Sequence, residues 1–164
     1  MTGSPIIRVR AHAKLTRSLR LTGVRADGYH LIDAEMVSLD LHDVLTIDPN
    51  RSGLEGIGPF AEGMPLDDSN LIARALVLAD AGAHVTIDKR IPHGGGLGGG
   101  STDAASVLRW AGFGTSDHHL VEASKLGADI PFCLVGGMKE VQQPHLPILK
   151  TVRVCSSEES IPTV

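Results

Sequence analysis

The 164-residue chain has the length of one domain, at an allowance of about 150 residues each. Fifteen basic and 19 acidic residues leave a formal charge of −4, so no basic footprint for nucleic acid is present. Hydrophobic residues, at 42%, can fill a core, while one Trp, one Tyr and three Phe are too few for base-stacking platforms or carbohydrate clefts.

Ile6–Arg10 and Ala13–Val24 alternate by twos (Ala13, Leu15, then Leu19, Leu21) and read as strands. Arg25–Gly28 reads as a turn, because Asp27-Gly28 supplies positive-φ positions. Tyr29–Leu41 and Val44–Ile47 continue as strands. Asn50–Pro65, with Gly53, Gly56, Gly58 and Gly63, reads as a loop with room for a short strand. Asp68-Ser69 opens a helical pattern in which Ile72, Ala75, Leu76 and Ala79 share a face and Gly82 offers a stop. His84–Lys89 alternates as a strand, a glycine run follows, and Ser101–Ala111 reads as a helix opened by Ser101, Thr102 and Asp103. Asp117–Leu126 predicts a further helix, and Ile130–Val135 and Lys150–Cys155 predict strands. Strands first, then mixed helices and strands without a repeat, predict an α+β layer fold.

Cys133 and Cys155 sit in apolar stretches, where a free thiol behaves as a small buried hydrophobe. The first residues, MTGSPIIRVR, lack the apolar run of a signal peptide, and Arg74 and Asp80 interrupt the most apolar helical stretch. A cytoplasmic protein with no membrane and no nucleic-acid partner is expected. His118-His119 points two ways on a helix and reads as surface, so no metal site is expected.

The 19 glycines are unevenly spread: six fall between Gly94 and Gly100. The run Pro92, His93, Gly94, Gly95, Gly96, Leu97, Gly98, Gly99, Gly100, Ser101, Thr102 links a predicted strand to a helix N-terminus. Backbone without side chains lets several N–H groups converge on one anion, the helix dipole adds positive potential, and Ser101 and Thr102 add hydroxyls. The chemistry is that of a phosphate cradle. A Walker A motif is excluded, since no lysine lies between Lys89 and Lys125. Gly94, Gly96 and Gly99 satisfy G-x-G-x-x-G, as a glycine-dense run does by chance, but Asp117 and Glu122, at the acidic position, fall in a predicted helix. A dinucleotide fingerprint is poorly met.

The loop 92–102 resembles the second signature motif of the GHMP kinases (galactose, homoserine, mevalonate and phosphomevalonate kinases). Its doubled Gly-Gly-Gly resembles the branch acting on diphosphocytidyl-methylerythritol in the non-mevalonate isoprenoid pathway. Ala13-Lys14-Leu15, Arg25-Ala-Asp-Gly-Tyr-His30 and Leu126-Gly-Ala-Asp-Ile-Pro-Phe132 resemble further motifs of that branch, in the same order. The resemblance implies the GHMP N-terminal domain (ribosomal protein S5 domain 2-like) over 1–155, ATP with Mg2+ as cofactor, and transfer of phosphate to the 2-hydroxyl of a cytidine-diphosphate-linked methylerythritol. It implies Lys14 and Asp129 as the catalytic pair, Asp129 toward the hydroxyl proton and Lys14 toward developing charge. Tyr29 and His30 would meet the cytosine, and Asn70 and Lys89 the nucleotide.

The chain departs from the pattern at His12 and Thr16, where the family usually has proline and asparagine. Residues 138–149 look shortened, and 156–164 resemble a junction to the family's second domain, whose third glycine motif finds no counterpart here. Substrate in this family lies between two domains, so activity of this length of chain is open. A non-catalytic nucleotide- or phosphate-binding remnant, or an interaction module, is the second reading.

Overall fold

The computed structural model describes residues 4–24, 30–136 and 150–156; at 21–24, 30–33 and 150–156 the backbone alone is described. Elements run β1 (Ile7–Val24), β2 (His30–Asp48), β3 (Gly53–Ile57), α1 (Leu71–Leu78), β4 (His84–Asp88), α2 (Gly99–Trp110), α3 (Asp117–Ser124), α4 (Ile130–Gly136) and β5 (Lys150–Ser156). The turn expected at Arg25–Gly28 and the segments 138–149 and 157–164 lie outside the described residues.

The sheet has the order β1-β2-β4-β3, with β5 also on β2. β1 and β2 pair antiparallel along nearly their whole length, β4 takes residues 44–48 of β2, and β5 takes residues 30–36. β3 and β4 are parallel and α1 makes the crossover between them, so the short strand inside the glycine-rich stretch starts a βαβ unit. The result is the expected α+β arrangement, with α2 packed against α1, α4 and β1.

Alternation explains which sheet residues enter the core. Val85 and Ile87 on β4 are fully buried while their neighbours are half-covered, and Leu45 and Ile47 face the same cluster from β2. α2 is buried at every position from Thr102 to Leu108. Four of those seven residues are Ala104, Ala105, Ser106 and Thr102, small enough to admit close neighbours on several sides.

Several boundaries differ from the sequence reading. The first two pairs of predicted strands are two continuous strands, because pairing carries through residues 11–12 and 42–43 with local register shifts. α1 ends at Leu78, four residues before Gly82, because Asp80 takes the left-handed conformation (φ 48) and Ala81 N–H closes back on the Leu76 carbonyl. α2 begins at Gly99, capped by the left-handed backbone of Gly98, so Ser101, Thr102 and Asp103 lie inside the helix and do not open it. Ile130–Val135 is helical: Ile130 N–H reaches the Gly127 carbonyl and Cys133 N–H the Asp129 carbonyl. All of Ile130–Leu134 is buried, and a short, wholly apolar run carries no period that separates strand from helix. Pro131, in the first turn, lacks only an N–H that would have had no partner there.

Candidate phosphoryl-transfer site

The glycine loop forms from constraints on both sides. Gly94, Gly96 and Gly98 all have φ near +70°, a backbone that side chains resist. Near its end the loop docks on the free side of β1, where Lys14 N–H donates to the Leu97 carbonyl at 2.9 Å. At its start, His93 Nε2 donates to the Phe60 carbonyl at 2.5 Å. A cleft of about 220 Å³ lies over it, lined by Leu71, Lys89, Ile91 and residues 92–101.

The floor of the cleft is the N-terminus of α2. No side chain caps it, and the first intrahelical bond runs from Thr102 N–H to the Gly98 carbonyl. The N–H groups of the first turn therefore stay without intrahelical acceptors at the positive end of the dipole. No carboxylate is among the lining residues. This donor set fits the phosphate chain of a nucleotide. Mg2+ finds only the Ser101 hydroxyl there, so phosphate oxygens and water would supply most of its ligands.

Lys14 and Asp129 meet beside the loop. Lys14 Nζ lies 2.9 Å from Asp129 Oδ2 and donates to Thr16 Oγ1 at 3.0 Å. The lysine is nearly buried, whereas the aspartate side chain is 31% exposed and open to a second molecule. Gly98 makes this possible: a Cβ there would lie 2.8 Å from Lys14 Cγ. The loop backbone thus rests on the lysine stem. Thr16 supports the ammonium directly, and His12 turns away to the Leu39 carbonyl.

The remaining predicted residues divide. Gly94–Gly100, Pro92, His93, Ser101 and Lys89 all line the cleft. Thr102 does not; it is buried, and its hydroxyl meets Cys133. Asn70 is the N-cap of α1, accepting from Ile72 N–H at 2.8 Å and donating to the Pro65 carbonyl at 2.6 Å, so both ends of its amide are engaged. Tyr29 lies outside the described residues, and of His30 only the backbone, at the start of β2, is described.

The sequence reading missed a buried triad beneath the cleft. Lys89 Nζ donates to Asp43 Oδ2 at 2.5 Å and to Asp103 Oδ2 at 2.7 Å, and all three residues are at most 2% exposed. Asp43 Oδ1 also accepts the N–H groups of Arg90 and Ile91, fixing the exit from β4 into the loop. Burial alone would lower the Lys89 pKa, but the charges and hydrogen bonds of Asp103 and Asp43 outweigh it and leave it raised. Burial lifts the Asp103 carboxyl to about 7, against the pull of Lys89 and with the help of the Asp43 charge. Asp103 Oδ1 has no hydrogen-bond partner among the described residues. Asp43 falls between the predicted strands Tyr29–Leu41 and Val44–Ile47, beside Asp40 and His42, so its burial left no signal in the sequence.

Comparison with known proteins gives the family. The family model "GHMP kinases N terminal domain" matches residues 70–137. The 4-diphosphocytidyl-2-C-methyl-D-erythritol kinase of Paracoccus denitrificans is 43% identical over 153 residues, 90% of this chain and 54% of the relative. That of Psychromonas ingrahamii is 40% identical over 146 residues, 83% and 51% of the two chains. A crystal structure of 4-(cytidine 5'-diphospho)-2C-methyl-D-erythritol kinase superposes with a TM-score of 0.57 at 37% identity, over 79% of this chain and 49% of that one. The chain thus spans about half the length of the curated relatives it matches. Among the described residues, no helix is long and apolar enough to cross a membrane. With motifs, fold and relatives in agreement, the chain belongs to the GHMP kinase family and carries that family's N-terminal domain.

Proposed function

We propose that this domain supplies the ATP-phosphate cradle and the catalytic pair of a small-molecule kinase that phosphorylates the 2-hydroxyl of 4-diphosphocytidyl-2-C-methyl-D-erythritol. The observation that carries the reading is the Lys14–Asp129 ion pair, 2.9 Å long, seated against a glycine loop that ends at an uncapped helix N-terminus. The phosphate chain of ATP would lie on the first-turn N–H groups of α2. Bound Mg2+ would neutralise charge on the phosphate oxygens. Asp129, exposed on one side, would take the proton of the acceptor hydroxyl as its oxygen bonds to the γ-phosphorus and ADP departs. Lys14 would stabilise charge on the transferring group.

Lys89, on the cleft wall with its ammonium held by Asp43 and Asp103, would act by fixing the exit from β4 into the nucleotide loop, and Asn70 would act through the placement of α1. For Tyr29 and His30 the support is their match to the cytosine-binding motif of the resembling branch. The ATP-binding domain is taken as residues 1–155, with 156–164 as the start of a junction. The acceptor is named from the relatives, and the cleft chemistry by itself supports a nucleoside triphosphate.

The test joins binding to chemistry. Millimolar ATP with Mg2+ should raise the melting temperature where NAD does not; ligand at 100 times its dissociation constant is worth about 2.7 kcal/mol. Phosphoryl transfer to the cytidyl substrate, measured as ADP release, should be lost in Asp129→Asn while the ATP-induced shift and the metal-free melting temperature persist. Equal turnover in wild type and variant removes the catalytic pair from the reading. A shift with NAD and none with ATP removes the cradle.

A further inference from the structure

Away from the cleft, β1 and β2 carry a side-chain cluster that phosphoryl transfer does not use. His12 and His42 are direct cross-strand partners, with ring centroids 5.1 Å apart. Beside them the register jumps: β1 runs from His12 to Lys14 while β2 runs from His42 to Ser38. Residues 39–41 of β2 therefore bulge opposite Ala13, which turns carbonyls out of the regular ladder. Two of these carbonyls orient the imidazoles. Leu39 O accepts from His12 Nδ1 at 2.9 Å, and Asp40 O accepts from His42 Nδ1 at 2.6 Å.

A carbonyl only accepts, so each Nδ1 carries the proton, and the neutral ring keeps its lone pair on Nε2. Backbone carbonyls impose the same tautomer and fixed orientation on histidines that ligate metals. Asp40 adds a carboxylate from the bulge, and one ligand atom from each of the three residues lies within 4.8 Å of the other two. His12 and His42 are half-buried and Asp40 is exposed, which combines restrained rings with an open approach. The GHMP pattern has proline at the position of His12, so the cluster is separate from the shared phosphoryl-transfer machinery.

We propose that His12, Asp40 and His42 form a binding site for a late first-row divalent metal ion, with Zn(II) as its probe. Two imidazoles and one carboxylate suit Zn(II), Ni(II) or Cu(II), whereas Mg2+ prefers all-oxygen surroundings. A tetrahedral ion would draw the donors to roughly 3.4 Å from one another, within reach of side-chain rotation, and leave its fourth position to water. Occupancy would tie β1 to β2 immediately before Lys14.

The full chain, stripped with chelator, should bind one Zn(II) in competition with a chromophoric chelator, and a large excess of Mg2+ should not displace it. His12→Ala and His42→Ala should each weaken binding by more than the about 10–100-fold that loss of an outer partner costs elsewhere. His118→Ala and His119→Ala should leave it unchanged. Since a strand variant can fail to fold, 15N spectra of the wild type give a second readout: Zn(II) should shift the ring nitrogens of His12 and His42 first. Absence of wild-type binding, undiminished binding by folded His12→Ala, or first shifts at other histidines overturns the site.

Discussion

Gly94 and Gly98 both have positive φ, 72° and 67°, but a methyl group at each would meet different surroundings. At Gly94 it enters open space, so Gly94→Ala carries only the left-handed strain of about 1–2 kcal/mol. At Gly98 it lands 2.8 Å from Lys14 Cγ and 3.0 Å from Cε, so the lysine stem must move and its ammonium with it. Gly98→Ala should therefore lower the urea midpoint clearly more than Gly94→Ala, and reduce phosphoryl transfer beyond its effect on folding. Similar midpoints and similar turnover for the two variants would show that the loop does not rest on Lys14. The glycines were legible in the sequence as a patterned loop; which of them tolerates a methyl depends on β1, a distant part of the chain.

Between elements, the Asp43–Lys89–Asp103 triad joins β2, the end of β4 and the first turns of α2 in one buried network. Asp103 titrates near 7 in the fold and near 3.9 in an unfolded chain. Its folded pKa is the higher one, so its contribution is fully present below about pH 4 and is lost as pH rises through about 7. Asp103→Asn removes that titration. The stability difference, wild type minus variant, should fall from pH 4 to pH 7 and flatten above it, as read from chemical melts across pH. A pH-independent difference would mean that Asp103 is ionised throughout, held by Lys89. α4 is also decided between elements. Arg109 on α2 donates to the Cys133 carbonyl at 2.6 Å and to Ser106 Oγ at 2.8 Å, holding the end of the helix against the core. The apolar sequence of that segment fixed its burial, and the neighbours on α2 fixed its helical form.

At the scale of the whole fold, among the described residues, the ribbon of β1 and β2 is longer than the layer of helices that covers it. Leu45 and Ile47 on β2 and Val85 and Ile87 on β4 are fully buried, whereas Arg17 to Arg20 on β1 expose their side chains, Leu19 by 62%. Among the described residues few buried contacts support that stretch, so it should open at lower free energy than the centre of the sheet. Native-state hydrogen exchange should find the amides of Leu45 and Ile87 near the global limit and those of Ser18 to Arg20 well below it. Uniform protection along β1 would mean that the ribbon and the helical layer unfold as one unit.

The sequence by itself determined what depends on local pattern. Alternation predicted the β4 strand, the apolar face of α1 was readable as Ile72, Ala75 and Leu76, and the glycine run marked a side-chain-free loop leading into a helix N-terminus, because local backbone chemistry suffices for one. Lys14 and Asp129 stood out as a pair through the motifs that contain them. The tertiary structure alone decided what requires long-range contact: the helical state of a short apolar run, the buried partners of Lys89, and the meeting of His12 with His42 beside a bulge. Burial and strand register create those relations, and neither leaves a period in the sequence.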